Sequence, residues 1–313
     1  MLNVVTTIEE VKTVSTADSE IRAGGTDLHD RYRAGVSSGT IVDIHKLDFD
    51  GFVQNADGSV TIGANVSIDD VGQNPLTAEG YGALAKGANG LATPQIRWAA
   101  SFGGSLLQKT RCWYFRHPDL PCTKKGDDAC GGREGHHPNG VVFDQGGCTH
   151  AHASTLATAL LIYNATIRTS EREMPIADLY GDGSAHDHDH LLNEGEVLTH
   201  VTLPAPVAGE KTAYFRSISR FEAEWPIVEC SVRLVVEDGT ITEAGVGVGG
   251  VSQIPLRLAN VEAALVGQPA KQETLEAAAQ VSAENANPLP QSAWKVEMMV
   301  GTILHTLELA LGD

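Results

Sequence analysis

The segment IRAGGTDLHDRYRAG (Ile21–Gly35) sets a glycine pair, Gly24-Gly25, between an apolar lead-in from Ala23 back to Ile21 and a helix-forming run. Paired glycines reach positive φ and let backbone N–H groups come close to a ligand. Successive N–H groups facing one way form a nest suited to a pyrophosphate. Thr26 and Asp27 add side-chain hydrogen-bonding groups at the same turn. One Gly-Gly by itself is ordinarily a plain turn, and the three spaced glycines of a dinucleotide-binding βαβ unit are missing, so a Rossmann fold is not implied. A second pair changes the meaning of the first. TPQIRWAASFGGSLLQKT (Thr93–Thr110) places Ser101, Gly103, Gly104 and Ser105 behind another apolar segment. Two nests of this kind suit a grip on one diphosphate from both sides.

Outward from these loops, short strand signals alternate with short helical ones. IVDI (Ile41–Ile44) is a compact apolar run, and SVTIGA (Ser59–Ala64) follows the turn pair Asp57-Gly58. Thr77–Lys86 and Ser154–Tyr163 read as helices, and ATIRTS (Ala165–Ser170) as a strand. The polar, turn-rich GDGSAHDHDH (Gly181–His190) reads as a linker. A hairpin follows, VECSVRLVV (Val228–Val236) turning at Glu237-Asp238-Gly239 into TITEAGVGVGG (Thr240–Gly250). The tail closes on a helical SAWKVEMMVGTILHTLELAL (Ser292–Leu311). The expected fold is α+β: residues 1–180 as a glycine-rich binding domain, 181–192 as linker, and 193–313 as a smaller sheet-and-helices domain.

The ordered set AGGTDL, IVDIHKL (Ile41–Leu47), TIGANVSIDDV (Thr61–Val71), TPQIR, FGGSLLQ and GGVSQIPLRL (Gly249–Leu258) resembles the FAD-binding subunit of the molybdenum hydroxylases, the xanthine dehydrogenase and carbon monoxide dehydrogenase family. The resemblance covers nearly the whole chain. It implies that Ala23–Asp27 and Ser101–Ser105 hold the FAD diphosphate. HASTLATAL (His152–Leu160) is similar to the family's HPSDLAPAL, with Ala153 and Thr155 in place of Pro and Asp. Thr155 keeps a hydroxyl there and is carried as a cofactor-binding residue. Trp98 and Ser105 also depart from residues the family often carries.

Four of the five cysteines fall in one window, Cys112, Cys122, Cys130 and Cys148, spaced C-x9-C-x7-C-x17-C. Structural zinc ordinarily shows close C-x2–4-C pairs, which are missing, and reduced cytosolic thiols argue against disulfides. Four thiolates on an irregular loop suit a cubane iron–sulfur cluster, although the intervals match no standard ferredoxin. RCWYFRHPDLPCTKKGDDAC (Arg111–Cys130), directly after the second glycine loop, looks like the insertion that holds a [4Fe–4S] cluster in a subset of these subunits. That subset includes three-subunit bacterial aldehyde oxidoreductases and 4-hydroxybenzoyl-CoA reductase. Trp113, Tyr114 and Phe115 are candidates to shield the cluster or plain core aromatics, and Cys230, in an alternating strand, reads as a buried core thiol. His186, His188 and His190 alternate with acids and read as part of a solvated linker rather than a metal site.

The chain has 313 residues, 22 Lys plus Arg against 40 Asp plus Glu, and a net charge of −18. A field of that sign repels phosphate backbones and anionic membranes, so nucleic acid and membrane surfaces are not expected partners. No HExxH or Walker A pattern occurs, which leaves zinc-hydrolase and NTPase readings without support. No apolar run approaches a membrane span and the N-terminal stretch is acidic, so the chain reads as cytoplasmic, with export on a partner's signal open. The resemblance implies an electron-transfer oxidoreductase subunit with no catalytic acid or base of its own. Its partners would be a large molybdopterin-binding subunit, a small subunit with two [2Fe–2S] clusters, and an external electron acceptor. Two other readings stay open: a hydroxybenzoyl-CoA reductase type, with electrons running toward molybdenum, and a free-standing flavin or cluster carrier.

Overall fold

The computed structural model describes residues 1–221 and 223–312. Three sheets organise the chain. β1 (Leu2–Val4), β2 (Ser19–Arg22) and β3 (Thr40–Asp43) form a small parallel sheet in the order β1-β3-β2. Parallel neighbours need crossovers, which the helices Ile8–Val14 and Leu28–Arg33 supply. Thr7 caps the first of these by accepting from the Glu10 N–H at 3.1 Å. Val5, Val11, Val42, Ile44 and Leu47 pack between sheet and helix. The first glycine loop therefore leaves the carboxyl end of a parallel strand and enters a helix, the place where open parallel sheets present ligand-binding crevices.

The second sheet is antiparallel. β4 (Phe52–Gln54), β5 (Val60–Gly63), β6 (Thr166–Thr169), β7 (Glu173–Pro175) and β8 (Leu198–Leu203) lie in the order β4-β5-β8-β6-β7. Its central strand, β8, comes from residues that the sequence reading assigned to the C-terminal domain. The division between domains falls after β8 rather than at 181–192. The helix expected over Thr77–Lys86 is two helices, Pro75–Gly80 and Gly82–Gly90. Tyr81 breaks them because its ring is buried and its hydroxyl donates to the Pro204 carbonyl at 2.6 Å, which holds φ and ψ at −141° and 60°.

β9 (Lys211–Ser217), β10 (Val228–Glu237), β11 (Thr240–Gly249) and β12 (Leu256–Arg257) build the third sheet, antiparallel in the order β12-β11-β10-β9. Asp238 and Gly239 turn the hairpin with φ of 48° and 76°, the two positive values a type I′ turn needs. Helix Lys295–Leu311 covers one face. Helix Thr155–Ile162, buried at every position, covers the other and joins the two domains. The alternating glycines of β11 make that contact close. A Cβ on Gly245 would stand 2.9 Å from the Ile162 carbonyl oxygen, and one on Gly247 2.7 Å from that of Thr158.

Gly181–His190 is only partly solvated. Asp182, Ser184, His186 and Asp187 are exposed, whereas Asp189 is buried and His190 half-buried, and Lys124 of the cysteine loop donates its ammonium to the Asp189 carboxylate. Its alternating acids and histidines look solvated in sequence because the partner they pack on lies far away in the chain. Among the described residues no helix is long and apolar enough to cross a membrane.

Candidate functional site

A cavity of about 790 Å³ opens between the two glycine loops. Ala23, Gly24, Gly25, Thr26, Asp27, Ser101, Gly103, Gly104 and Ser105 all line it. The tenth expected residue, Thr155, does not. It is fully buried at the start of helix Thr155–Ile162, where its hydroxyl donates to the Glu229 carboxylate at 2.7 Å. Tyr214 donates to the same carboxylate at 2.7 Å, and burial raises the Glu229 pKa above the usual carboxylate value. Thr155 thus serves the joint between the domains, a partnership that its HASTLATAL context does not reveal.

The two loops are built differently. Gly25 has φ of +73°, and Gly24 lies so near the second loop that a Cβ would fall 1.9 Å from the Ala99 carbonyl oxygen. Among the described residues, no acceptor in the chain pairs with the backbone N–H of Gly24, Gly25, Thr26 or Asp27, which leaves them for a ligand. The second loop is satisfied internally. Phe102 and Gly103 donate to the carbonyls of Val66 and Ala64 at 2.8 Å each, and Gly104 donates to the Ser101 hydroxyl at 3.2 Å. The expected pair of open nests is therefore one nest facing a capped helical turn (Phe102–Leu106), whose glycines admit close packing: a Cβ at Gly103 would meet that of Ala64 at 2.8 Å.

Asp27 also behaves differently from a ligand-binding side chain. Its carboxylate accepts from Arg116 at 2.6 Å, Arg111 at 2.7 Å and Arg31 at 3.2 Å. Burial works against the charged form, yet these guanidinium groups outweigh it and hold the carboxyl below its usual range. Arg22, Arg31, Arg33, Lys109 and Arg111 surround the cavity in a chain whose net charge is −18. Glu20, Asp27, Asp30, Glu194, Glu196 and Glu224 line it too, so the wall is of mixed charge, with guanidinium groups available to a diphosphate. Ser105 Oγ and the Nε atoms of Arg22 and Arg111 are buried in this wall without a partner among the described residues. Unpaired buried donors are costly, so these residues have hydrogen-bonding capacity that the chain leaves unused. Sequence reasoning missed Arg111, His190 and Trp225 on this wall; the Arg111 guanidinium lies 4.1 Å from the Trp225 ring centroid. The only signal for Arg111 was its basic charge next to a cysteine in an acidic chain.

The cysteine loop follows at once. Cys112 precedes the helical turn Trp113–Arg116, Cys122 the turn Thr123–Lys125, and Cys130 the turn Gly131–Glu134. Cys112, Cys122 and Cys148 are buried and Cys130 is half-buried, all as free thiols. Cys112 and Cys122 pack with Phe115. Burial pushes the Cys148 thiol up to about 12, and Cys112 and Cys122 are raised for the same reason. Cys112 and Cys122 share one small apolar cluster, and Cys130 Sγ lies 3.7 Å from the hydroxyl of Thr149, the residue after Cys148. Among the described residues no three His, Cys, Asp or Glu side chains converge as a single metal ion requires. Of the aromatics beside Cys112, Phe115 is buried, whereas Trp113 is 58% exposed and stacks on His136. His152 Nδ1 accepts from the Ser154 N–H at 3.1 Å, and burial lowers its pKa to about 4; the ring is neutral, with its proton on Nε2. Cys230 lies fully buried in the core of the third sheet.

Residues 3–206 match the FAD binding domain in molybdopterin dehydrogenase, and residues 213–297 match the CO dehydrogenase flavoprotein C-terminal domain. The chain belongs to the FAD-binding subunits of the molybdenum hydroxylase family. It is 31% identical over 274 residues to the aldehyde oxidoreductase FAD-binding subunit PaoB of Escherichia coli (strain K12), covering 84% of each chain. It is 25% identical over 262 residues to the nicotinate dehydrogenase FAD-subunit of Eubacterium barkeri, covering 82% of this chain and 75% of the relative. Its fold superposes on a chain of carbon monoxide dehydrogenase from Hydrogenophaga pseudoflava with TM-score 0.77 and 20% identity, over 99% of this chain and 96% of that one. The two matched ranges part between β8 and β9, where the sheets also part. As in the family, the chain is the flavoprotein subunit of an oxidoreductase, and FAD is its cofactor.

Proposed function

We propose that this subunit carries FAD in the cavity and a [4Fe–4S] cluster on Cys112, Cys122, Cys130 and Cys148, and passes electrons between [2Fe–2S] clusters of a small partner subunit and an external acceptor. A large partner subunit with molybdopterin would act on the substrate, and the 31% relative favours an aldehyde as its class. The observation that carries this reading is the Asp27 junction. One carboxylate of the FAD-binding loop is bonded to Arg111 and Arg116, the residues on either side of the Cys112–Phe115 segment. The chain thereby fixes the cysteine loop to the flavin loop. A cubane gives each thiolate its own iron, so its four ligands stand further apart than those around a single ion. The four cysteines are free thiols, the ligand type a cubane takes.

The residues have separable tasks. The N–H groups of Gly24–Asp27 and the guanidinium groups of the cavity wall bind an anionic diphosphate. Ser105 and Arg111 line the cavity with unpartnered donors, and the burial of Cys112, Cys122 and Cys148 keeps water from their thiols. Bound FAD exchanges one and two electrons, which lets one-electron carriers communicate with a two-electron acceptor. The test is purification of the native complex with flavin, iron, acid-labile sulfide, molybdenum and chain composition measured together. One FAD and a [4Fe–4S] signal on this chain, with two further chains, are expected. A flavin-loaded monomer without iron would sink the cluster and partner assignments while leaving the family intact.

A further inference from the structure

Asp27 belongs to two structures at once. Its backbone N–H is part of the open nest on the first glycine loop, and its carboxylate is taken up by the chain that leaves the second loop. Oδ1 accepts from Arg116 Nη2 at 2.6 Å and Arg111 Nη1 at 2.7 Å, and Oδ2 from Arg31 Nε at 3.2 Å and the Lys109 N–H at 3.3 Å. Arg111 carries the connection on. Its Nη2 donates to Gln108 Oε1 at 2.7 Å, and the Gln108 side-chain amide donates to the Ser105 carbonyl at 2.9 Å. An unbroken chain of hydrogen bonds therefore joins one glycine loop to the other. Arg116 donates further to the Thr110 and Lys109 carbonyls at 2.9 and 3.0 Å, which folds its own segment back toward Asp27. Neither Arg116 nor any other residue of 112–117 is among the described residues that line the cavity.

We propose that Asp27 is a positioning residue that couples filling of the cavity by FAD to the ordering of residues 112–117, so that the flavin and the start of the cysteine segment are held or loosened together. The proposal rests on the reading of the cavity as the FAD site and needs nothing bound at the cysteines. A ligand that fixes the N–H groups of residues 24–27 fixes the Asp27 backbone, and with it a carboxylate whose charge-assisted bonds hold both arginines. Such coupling is reciprocal: loosening the segment weakens the ligand by the same factor that the ligand steadies the segment.

The test uses the complete complex, with flavin removed and then restored, and reads amide exchange together with FAD affinity. In the wild type, FAD should slow exchange at residues 24–27, whose N–H groups are open to it, and also at 112–117, which lie outside the cavity. Arg116→Met should lower FAD affinity about tenfold, within the usual range of such couplings, and speed exchange at 112–117 with or without FAD. Asp27→Ala should weaken FAD at least as much. The double variant should bind no more weakly than Asp27→Ala alone, because both changes act through one junction. Unchanged FAD affinity in Arg116→Met overturns the proposal, and so do losses that multiply in the double variant, as independent damage to the fold would give. If a variant does not assemble, the wild-type exchange still decides: FAD protection at 24–27 with none at 112–117 defeats the coupling alone. Protection at neither defeats the reading of the cavity and the proposal with it.

Discussion

Gly24 and Asp27 sit three residues apart in one loop and are constrained by different forces. Gly24 is required by its neighbour across the cavity, because a side chain would enter the Ala99 carbonyl oxygen at 1.9 Å. Gly24→Val should push the two loops apart and lower the FAD-to-protein ratio, read by flavin absorbance after gel filtration; full occupancy would show that the loops can part without losing the cofactor. Asp27 is required by charge. Asp27→Ala leaves Arg111 and Arg116 without their carboxylate in a region where little water can replace it, at a cost of about 3–5 kcal/mol. Chemical denaturation should show that loss, and a change below 1 kcal/mol would mean that the guanidinium groups find other acceptors. The glycines were readable as a loop signal, since few residues tolerate such approach. The role of Asp27 was not, because its arginine partners Arg111 and Arg116 lie more than eighty positions away.

Among the elements, the cysteine loop and β11 carry the sharpest expectations. Cys122→Ser should abolish or damage the proposed cluster, since an alkoxide is a harder and far less accessible ligand than a thiolate. Cys230→Ser should leave iron unchanged and lose only stability, because Cys230 is packed in the core of another sheet. Iron and sulfide assays with low-temperature EPR separate these outcomes, and loss of the signal in Cys230→Ser would overturn the ligand set. On β11, Gly247→Val places a side chain 2.7 Å from the Thr158 carbonyl oxygen. Overpacking of that kind costs roughly 1–3 kcal/mol. The joint between the domains should loosen first, seen as faster amide exchange in helix Thr155–Ile162, and unchanged exchange there would refute the close-packing account. The sequence GVGVGG could be read as a strand from its alternation, whereas the helix that requires its glycines could not.

For the molecule as a whole, two histidines set the acid limit. His152 and His190 have an ordinary pKa of 6.5 and are pushed by burial to about 4 and about 3. Their folded values are depressed, so the neutral rings contribute stability in full above pH 6.5. That contribution is lost as pH falls from there through the folded values. For His152 the difference corresponds to roughly 3 kcal/mol. Denaturant titrations from pH 7 to pH 4 should show falling stability, and His152→Asn, whose amide oxygen can still accept from the Ser154 N–H, should flatten part of the slope; a flat wild-type profile would contradict the lowered pKa of both rings. Local chemistry determined the α+β class, the glycine loops, the β10–β11 hairpin and the clustering of four cysteines in one window. These depend on residues near one another in the chain, where turn preference and periodicity leave a visible trace. Only the tertiary structure decided that β8 completes the first domain, that Thr155 serves the domain joint, that the second glycine loop is closed, and that Gly181–His190 clasps the cysteine loop. Each of those outcomes rests on pairing between distant segments, and an ion pair or a sheet neighbour leaves no local pattern to read.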